Sequence, residues 1–356
     1  MPDFPWDRIA AAGEHARKHP DGIVDLSIGT PVDDTPKVIT AALTAAANAP
    51  GYPTGAGLPE LRQAWTNWAL RILSAELTLD QVAPSIGSKE IVAWLPIIFG
   101  LNEQSVVAIP ELAYPTYAVG ALMAHAKFVT YKDADSIPAN SDLIWVNSPS
   151  NPTGEVLSVS QLQAIIARGR ELKAPVVSDE CYIELGWDEQ PISILDPQVC
   201  GTDFSGILAV HSLSKRSNLA GYRSGSVLGD AKLIADIVSL RKHSGMLVPT
   251  PIQMATIAAL GDDSHVQIQR ALYANRRDIL HSALVSAGFT VEHSQAGLYL
   301  WATNGTTCAE TINWLADRGI LAAPGDFYGP AGARHVRLAL TATDERIASA
   351  AGRLTT

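Results

Sequence analysis

The sequence contains few cysteines, and their spacing is typical of neither a disulfide framework nor a zinc site. Cys181, Cys200 and Cys308 are the only cysteines in a chain of 356 residues. An odd number of widely spaced cysteines favours reduced thiols in a cytoplasmic protein. The 9 histidines form no pair with metal-ligand spacing, so the sequence predicts no metal site.

Positive charge and long apolar runs are also scarce. The chain has 26 Lys and Arg against 36 Asp and Glu, a formal net charge of −10, which disfavours binding to nucleic acid or to an anionic membrane. The longest apolar run, Ile91 to Leu101, is too short to cross a bilayer. Residues 1–7 include early acids and no apolar core, so no secretory signal is predicted. The length and the 47% hydrophobic composition predict a large ordered core in two lobes.

The chain does contain a lysine flanked by hydroxyl groups directly after an apolar strand. The segment Ser212-Leu213-Ser214-Lys215 follows apolar residues 207–210, and a Gly-x-Arg-x-Gly segment with Arg223 at its centre comes next. A lysine amine can form a Schiff base with a carbonyl, and a planar guanidinium can hold a phosphate through two parallel hydrogen bonds. Open α/β sheets bind ligands at the carboxyl ends of their strands. These side chains are therefore predicted at the rim of a parallel sheet.

Three further segments place polar side chains after a short apolar strand or at the start of a helix. Helix N-termini carry unpaired N–H groups and receive phosphate readily. Alone, each segment is an ordinary turn or cap, and Glu180 is expected only to cap the next helix. The candidate residues are Asn151 in Asn-Pro-Thr-Gly, Asp179 and Tyr182 after the strand 175–178, and Ser88 and Lys89 in a glycine and serine turn before a helix.

In this order the four segments resemble the motifs of class I and II aminotransferases, which use pyridoxal 5'-phosphate. The resemblance implies that Lys215 carries the cofactor as a Schiff base and that Asp179 keeps the pyridine nitrogen protonated. It assigns Tyr182 and Asn151 to the ring oxygen, and Asn151 also to the substrate carboxylate. Lys215, Asp179 and Tyr182 are the implied catalytic residues. The implied donors to the cofactor phosphate are Ser88, Lys89, Ser212, Ser214 and Arg223.

The same resemblance assigns residues outside these segments. Tyr114 is predicted to stack on the cofactor ring, and Tyr117 in the same segment is the alternative. Tyr52 is predicted to reach the phosphate of the neighbouring subunit, which implies a homodimer with active sites at the subunit interface. Arg337, a cation inside an apolar strand, is predicted to hold the substrate α-carboxylate in a bidentate contact. A backbone N–H near Gly29 is predicted to contact the same carboxylate.

Short apolar strands alternate with helical segments, which indicates an α/β protein with a mainly parallel sheet. The resemblance implies the type I fold of pyridoxal-phosphate-dependent transferases, which is like that of aspartate aminotransferase. We expect a large cofactor domain over residues 40–250. We expect a smaller α/β domain built from residues 1–39 and 251–356.

The implied reaction is a transamination in two half-reactions. An amino donor leaves as a keto acid, and 2-oxoglutarate then receives the amino group and leaves as glutamate. The opening Phe4-Pro5-Trp6-Asp7 and the segment 19–33 resemble the actinobacterial N-succinyldiaminopimelate aminotransferases of lysine biosynthesis. This favours N-succinyl-LL-2,6-diaminopimelate as the donor. Its extra carboxylates need cations, for which the candidates are Lys18, Lys37, Arg216 and Arg334.

Two other functions stay open, and a third is not expected. An aspartate, aromatic or other amino acid aminotransferase is the nearest alternative, and substrate profiling separates it. A C–S β-lyase of the same fold keeps Lys215, Asp179 and Arg223 but eliminates a side-chain leaving group. A transcriptional regulator needs a DNA-binding domain ahead of the fold, and the cofactor-domain signals already begin near Tyr52, so no such domain is expected.

Overall fold

Strands and helices alternate over most of the chain. The computed structural model describes residues 5–355, and Phe4 of the opening motif lies outside the described residues. The strands are β1 (Val24–Asp25), β2 (Val82–Ile86), β3 (Val106–Pro110), β4 (Lys127–Tyr131), β5 (Leu143–Asn147), β6 (Val176–Asp179), β7 (Ile207–Ser212), β8 (Ser224–Gly229), β9 (Thr290–Glu292), β10 (Tyr299–Thr303), β11 (Ile320–Leu321), β12 (Ala323–Pro324) and β13 (Val336–Ala339).

Several helices begin where a side chain accepts a hydrogen bond from the first turn, which satisfies an otherwise unpaired N–H. Ser158 and Thr307 do this with capping boxes at α6 and α12. Among the described helices, none is long and apolar enough to cross a membrane. The helices are α1 (Ala10–Ala16), α2 (Lys37–Ala45), α3 (Pro59–Leu73), α4 (Gly87–Ile98), α5 (Thr116–Met123), α6 (Val159–Leu172), α7 (Pro197–Cys200), α8 (Leu213–Arg216), α9 (Ala231–Ser244), α10 (Thr250–Leu260), α11 (Ser264–Ser286), α12 (Cys308–Asp317) and α13 (Asp344–Leu354).

The largest sheet has 7 strands in the order β2-β8-β7-β6-β5-β3-β4. Its pairs are parallel except for β8, which runs antiparallel to both β2 and β7. The predicted α/β architecture with a mainly parallel sheet is therefore confirmed. Because β2, β5, β6 and β7 run in one direction, their carboxyl ends meet at one edge of the sheet.

Helices cover both faces of this sheet, because successive side chains of a strand point to opposite sides. In β5, Ile144 and Val146 pack into the apolar cluster that also contains residues of α3 and α6. Leu143 and Trp145 pack on the other side, with residues of α4 and α5. The strand is buried on both faces, which explains its continuous apolar sequence.

A smaller antiparallel sheet, in the order β12-β13-β10-β9, packs in a second apolar cluster with residues of α11, α12 and α13. The N-terminal strand β1 pairs in parallel with β11, so both ends of the chain contribute to this region. Helix α10 begins at Thr250, at the predicted start of the small domain, but it packs on α2 and α3. The predicted domain boundaries stay a prediction.

Candidate active site

Lys215 lies at the sheet edge, in the short helix α8 that follows β7. Ser212 caps this helix by accepting the N–H of Ser214 at 3.1 Å. The Lys215 Nζ donates to the carbonyl oxygen of Gly29, so the structure brings these two predicted residues together. Burial, with the nearby Arg337 and Arg223 charges, lowers the pKa of Lys215. A buried amine with a lowered pKa is more often uncharged and can accept a proton.

Hydroxyl groups and a guanidinium line the edge beside Lys215. Gly225 of β8 pairs with both Ser85 and Ser212, so the ends of β2 and β7 lie on either side of one strand. Ser212 Oγ donates to Ser214 Oγ at 2.8 Å. Arg223, in the left-handed conformation, donates from Nη1 to the carbonyl oxygen of Ala220 at 2.9 Å. The arrangement is a set of donors suited to an anion.

The N-terminus of α4 opens onto the Arg223 guanidinium. Gly87 begins this helix with φ +68°, and a Cβ at that position would clash with Arg223 Nη2. Ser88 follows it, and its Oγ accepts a hydrogen bond from Cys181 Sγ at 3.1 Å. The Arg223 guanidinium therefore lies at the N–H groups that begin this helix, and Ser88 is the next residue of the helix. A phosphate fits there because helix N-termini and guanidinium groups both favour anions.

Replacing Gly87 with alanine is expected to weaken cofactor binding by about 10- to 100-fold, because the new methyl group pushes Arg223 away from the phosphate and removes charge-assisted hydrogen bonds. Gly100→Ala is the matched control, since Gly100 has φ +70° and nothing within 4 Å of the added Cβ. Titration of each cofactor-free variant with pyridoxal phosphate measures the effect. Equal losses in both variants would show that backbone strain alone is responsible.

Asp179 ends β6 and is held from several sides. Tyr117 Oη donates to Asp179 Oδ2 at 3.0 Å, and the backbone N–H of Cys181 donates to Oδ1 at 3.3 Å. Asn147 Nδ2 donates to the Asp179 carbonyl oxygen at 2.8 Å. Burial raises the pKa of Asp179 in spite of the hydrogen bonds to its side chain. A buried carboxylate of this kind needs a cation, and a protonated pyridine nitrogen is one.

The two tyrosines of the segment 114–117 have different surroundings. The Tyr117 ring is fully buried and stacks on Trp145, with centroids 4.9 Å apart. The Tyr114 ring lies edge-on to Tyr117 at 5.8 Å, and Lys89 Nζ lies 6.0 Å from its centroid. The ring of Tyr117 is therefore already stacked on Trp145, and its hydroxyl is already bonded to Asp179. This favours Tyr114 as the ring that faces a cofactor.

Tyr117→Phe is expected to weaken pyridoxal phosphate binding by about 10-fold, since it removes a hydrogen bond to a charged group. Tyr131→Phe is the control, because Tyr131 is also buried and donates to the Trp145 carbonyl oxygen at 2.7 Å. Both variants should lose some stability on heating. Spectroscopic titration should show weaker cofactor binding only for Tyr117→Phe, and unchanged affinity in that variant would remove Tyr117 from the site.

Arg337 is buried in β13 with no carboxylate partner among the described residues. Its Nη1 donates to Asn151 Oδ1 at 2.8 Å and its Nη2 to the Ser27 carbonyl oxygen at 2.7 Å. Its Nε has no hydrogen-bond partner. The guanidinium carbon lies 3.8 Å from the centroid of the Tyr299 ring. Burying a cation without an anion is costly, so this arrangement suits an incoming carboxylate.

Tyr299, which the sequence did not identify, lies between these groups. Its Oη is 3.2 Å from the Oη of Tyr182. A Cβ on Gly29 would clash with the same Oη, so only glycine permits this approach. Burial opposes ionisation of Tyr299, but the Arg337 and Lys215 charges outweigh it and lower its pKa. Tyr299 is brought to the site by the pairing of β10 with β13. Sequence patterns do not reveal which strands pair, so the sequence held no signal for this residue.

Some candidates lie outside this cluster. Tyr52 is fully exposed, and Lys89 is exposed at the start of α4. Arg216 is not available to a substrate, because its Nε lies 2.5 Å from Glu184 Oε2 in a buried ion pair. The other three proposed cations, Lys18, Lys37 and Arg334, are exposed. Over residues 5–355 there is no cluster of side chains that could hold a metal.

The site fits pyridoxal 5'-phosphate on three observations. The space beside Gly87 is bounded by hydroxyl, guanidinium and helix N–H donors, as a phosphate requires. Asp179 is a buried carboxylate that lacks a cation, as a protonated ring nitrogen requires. Lys215 is a buried amine with a lowered pKa, as reaction with an aldehyde requires.

Comparison with known proteins gives one consistent family. The family model for aminotransferase class I and II matches residues 21–354. The chain is 54% identical to a probable aminotransferase of Mycobacterium tuberculosis, over 100% of this chain and 85% of that protein. It is 52% identical to the 4-dedimethylamino-4-oxo-anhydrotetracycline transaminase OxyQ of Streptomyces rimosus, over 100% and 99%. It is 33% identical to an LL-diaminopimelate aminotransferase of Dehalococcoides mccartyi, over 98% and 94%.

Solved structures agree with this assignment. An aminotransferase of Neisseria meningitidis superposes with a TM-score of 0.89 at 31% identity, over 99% of this chain and 97% of that chain. The aspartate aminotransferase of Thermus thermophilus with maleate has a TM-score of 0.89 at 23% identity, over 100% and 97%, which shows the shared fold. The chain therefore belongs to the class I and II aminotransferases, pyridoxal-phosphate-dependent enzymes of the aspartate aminotransferase fold that act on small amino and keto acids.

Proposed function

We propose that this enzyme transfers the amino group of N-succinyl-LL-2,6-diaminopimelate to 2-oxoglutarate, a step of lysine biosynthesis. Arg337 carries the proposal for amino acid substrates, because a buried guanidinium without a carboxylate suits the α-carboxylate of a donor. The segment 19–33 and the likeness to an LL-diaminopimelate aminotransferase support the diaminopimelate part. The candidate cations for the distal carboxylates are exposed or paired, and none lines the site of the single chain: Lys18, Lys37, Arg216 and Arg334.

A second candidate is an amino transfer to a larger ketone, as the name of OxyQ describes. The observation in its favour is 52% identity over the whole chain. A substrate without an α-carboxylate would leave Arg337 unpaired, which favours the amino acid. Aspartate or aromatic amino transfer and C–S β-elimination also remain compatible with the fold.

We assign the phosphate of the cofactor to Ser88, Lys89, Ser212, Ser214 and Arg223. Arg223 lies against Gly87 at the N-terminus of α4, directly before Ser88. Ser212 at the end of β7 and Ser214 in α8 lie across β8 from it. Lys89 is exposed, so its contribution is to the charge near the phosphate. Tyr114 is assigned to the face of the ring, and Asn151 and Tyr182 to its oxygen. Among these donors, Gly87→Ala disturbs Arg223.

When bound, pyridoxal phosphate supplies an electron sink for the substrate Cα. Asp179, held by Tyr117, keeps a proton on the ring nitrogen. Arg337 and the backbone at Gly29 orient the substrate carboxylate, which fixes the Cα beside Lys215. Lys215 Nζ, whose pKa is lowered by burial, lies where it can accept the Cα proton and later return it.

We infer a homodimer in which Tyr52 reaches the phosphate of the neighbouring subunit. Tyr52 is fully exposed in the single chain, and a large aromatic side chain left in water suits an interface. Cys181, Cys200 and Cys308 are all free, which supports the prediction of a cytoplasmic protein.

Steady-state profiling of amino donors tests the proposed substrate. With 2-oxoglutarate as acceptor, N-succinyl-LL-2,6-diaminopimelate should give a kcat/KM at least about 10-fold above LL-diaminopimelate, aspartate and phenylalanine, equivalent to about 1.4 kcal/mol. A preference for aspartate or phenylalanine would reject the lysine-pathway substrate and keep the family. Release of pyruvate and ammonia from a cysteine conjugate without any acceptor would indicate a β-lyase.

A further inference from the structure

A small cavity lies behind the active site, between the ends of β6 and β7 and the helix α3. Its volume is about 10 Å³, which is room for about one water molecule. Trp65, Trp68, Glu180, His211 and Arg216 contribute to its wall. Glu180 directly follows Asp179, and His211 directly precedes Ser212 in the segment that leads to Lys215. The cavity therefore touches both strand ends that carry the predicted catalytic groups.

Glu180 is fully buried and only partly satisfied. Its Oε1 accepts the N–H of Ile194 at 2.7 Å. Its Oε2 has no partner of good hydrogen-bond geometry among the described residues, although the Ser178 and Ser193 hydroxyls lie near enough to lower the pKa of the carboxyl. The expectation that Glu180 caps the next helix is wrong, because Ile194 lies ahead of α7 and outside any helix. The backbone N–H of Glu180 donates to the Val210 carbonyl oxygen at 2.9 Å, which ties it to β7.

His211 faces Glu180 across the cavity. Its Nε2 lies 3.6 Å from Glu180 Oε2, too far for a direct hydrogen bond. Neither ring nitrogen has a partner of good hydrogen-bond geometry among the described residues, although the Glu180 backbone lies near enough to raise the pKa of the imidazole against the larger effect of burial. The indole of Trp68 meets the imidazole edge-on at 4.8 Å, and Trp65 lies at 6.4 Å. Unpaired buried polar atoms on both sides of a water-sized cavity call for a bridging water.

The surrounding charges leave no cation for an ionised Glu180. Arg216 is the permanent cation of the wall, and its Nε pairs with Glu184 at 2.5 Å. Among the described residues, the other titratable groups near Glu180 are Asp179, Cys181 and Glu184, and none of these is a cation. Helix α3 contributes two tryptophans and no charge to the wall. A second buried anion next to Asp179 would be strongly disfavoured.

We propose that Glu180 is held as an uncharged carboxylic acid, bridged by one buried water to a neutral His211, and that the two are positioning residues that fix the ends of β6 and β7 behind Asp179 and Lys215. Asp179 is then the one ionised carboxylate next to the cofactor ring. Burial raises the pKa of Glu180 to about 7 and lowers that of His211 to about 3, in agreement with this state. The inference rests on the roles proposed for Asp179 and Lys215.

The pH dependence of the stability difference between Glu180→Gln and wild type tests the charge of Glu180. Between pH 4.5 and 7 the unfolded chain releases the Glu180 proton and the folded chain keeps it, so rising pH destabilises the wild-type fold at this residue. Glu180→Gln has no proton to release. The unfolding temperature of the cofactor-loaded variant relative to wild type should therefore rise by about 2–4 °C between pH 5 and pH 7.5.

Glu90→Gln is the matched control, because Glu90 pairs with the buried guanidinium of Arg241 at 3.1 Å. Removing its charge should lower the unfolding temperature at every pH in this range. If Glu180 were ionised and paired with a cationic His211, Glu180→Gln would behave like this control. That outcome would overturn the proposal.

The wild-type protein gives a second test that needs no variant. In a sample labelled with ¹⁵N-histidine, we expect the imidazole nitrogens of every histidine to show the chemical shifts of the neutral ring at pH 8.5. A cationic imidazole that persists at that pH would indicate a buried ion pair and would contradict the neutral state. This measurement stands even if Glu180→Gln fails to fold.

Turnover separates positioning from general packing. With the best amino donor found, Glu180→Gln should keep kcat within about twofold of wild type, since glutamine can accept the Ile194 N–H and donate toward the water. Glu180→Ala should lower kcat by at least about 10-fold, because both contacts are lost. Equal losses in the two variants would reject the uncharged state. Failure of the N-succinyl donor would leave these comparisons intact.

Discussion

Replacing Lys215 with alanine is expected to abolish amino transfer while the protein still folds. The side chain supplies an amine beside Gly29, Tyr299 and Arg337, and removing a partly buried amine also removes its desolvation cost. Turnover should fall by at least about 10⁴-fold, the upper range for losing a general acid–base group. Steady-state kinetics and the visible absorbance of the bound cofactor measure the loss, and circular dichroism checks the fold.

Lys127→Ala is the control for this experiment. Lys127 is exposed at the start of β4, on the far edge strand of the same sheet. It should retain wild-type turnover and absorbance. Turnover and absorbance that survive in Lys215→Ala would mean that another amine binds the cofactor, and the assignment of the site would be wrong.

Arg337→Gln is expected to lower kcat/KM for amino acid donors by about 10²- to 10³-fold. The guanidinium is buried, it points Nη1 at Asn151 and Nη2 at Ser27, and its Nε is unpaired. Losing one partner of a buried charge pair costs about 2–5 kcal/mol. Arg337→Lys should not restore the activity, because an ammonium lacks the planar guanidinium that holds a carboxylate through two hydrogen bonds. Kinetics with an amino acid and with the matching decarboxylated amine measure the effect.

The ratio between the two donors is the decisive quantity, since only the amino acid has a carboxylate for Arg337 to bind. Arg276→Gln is the control, because Arg276 is buried and pairs with Asp33 at 2.6 Å. That variant should lose stability and keep the wild-type ratio. A ratio that is unchanged in Arg337→Gln would remove Arg337 from the substrate site.

Local signals were sufficient for the elements that carry the motifs. Continuous apolar runs predicted strands at 143–146 and 208–210, and the structure has strands at Leu143–Asn147 and Ile207–Ser212. The helix expected over about 266–287 is Ser264–Ser286. Burial on both faces of a strand produces such runs, so pattern and structure share one cause.

Contacts between segments that are distant in the chain could not be predicted from the sequence. Tyr299 lies against Arg337 because β10 pairs with β13, and that register is set by packing in the small sheet. Tyr117 binds Asp179 because α5 covers the same sheet edge, and its spacing alone could not distinguish it from Tyr114. The burial of Glu180 depends on α3 and on residues near Ile194, which no local pattern reports.

A half-reaction without any keto acid tests the central claim most directly, namely that the enzyme takes an amino group from N-succinyl-LL-2,6-diaminopimelate and holds it until an acceptor arrives. Cofactor-loaded protein mixed with this donor should release about one keto product per site and then stop, with a matching change in cofactor absorbance. Adding 2-oxoglutarate should reverse the change and release glutamate. Continuous product release without an acceptor, or an unchanged absorbance in protein that responds to another amino acid, would contradict the account.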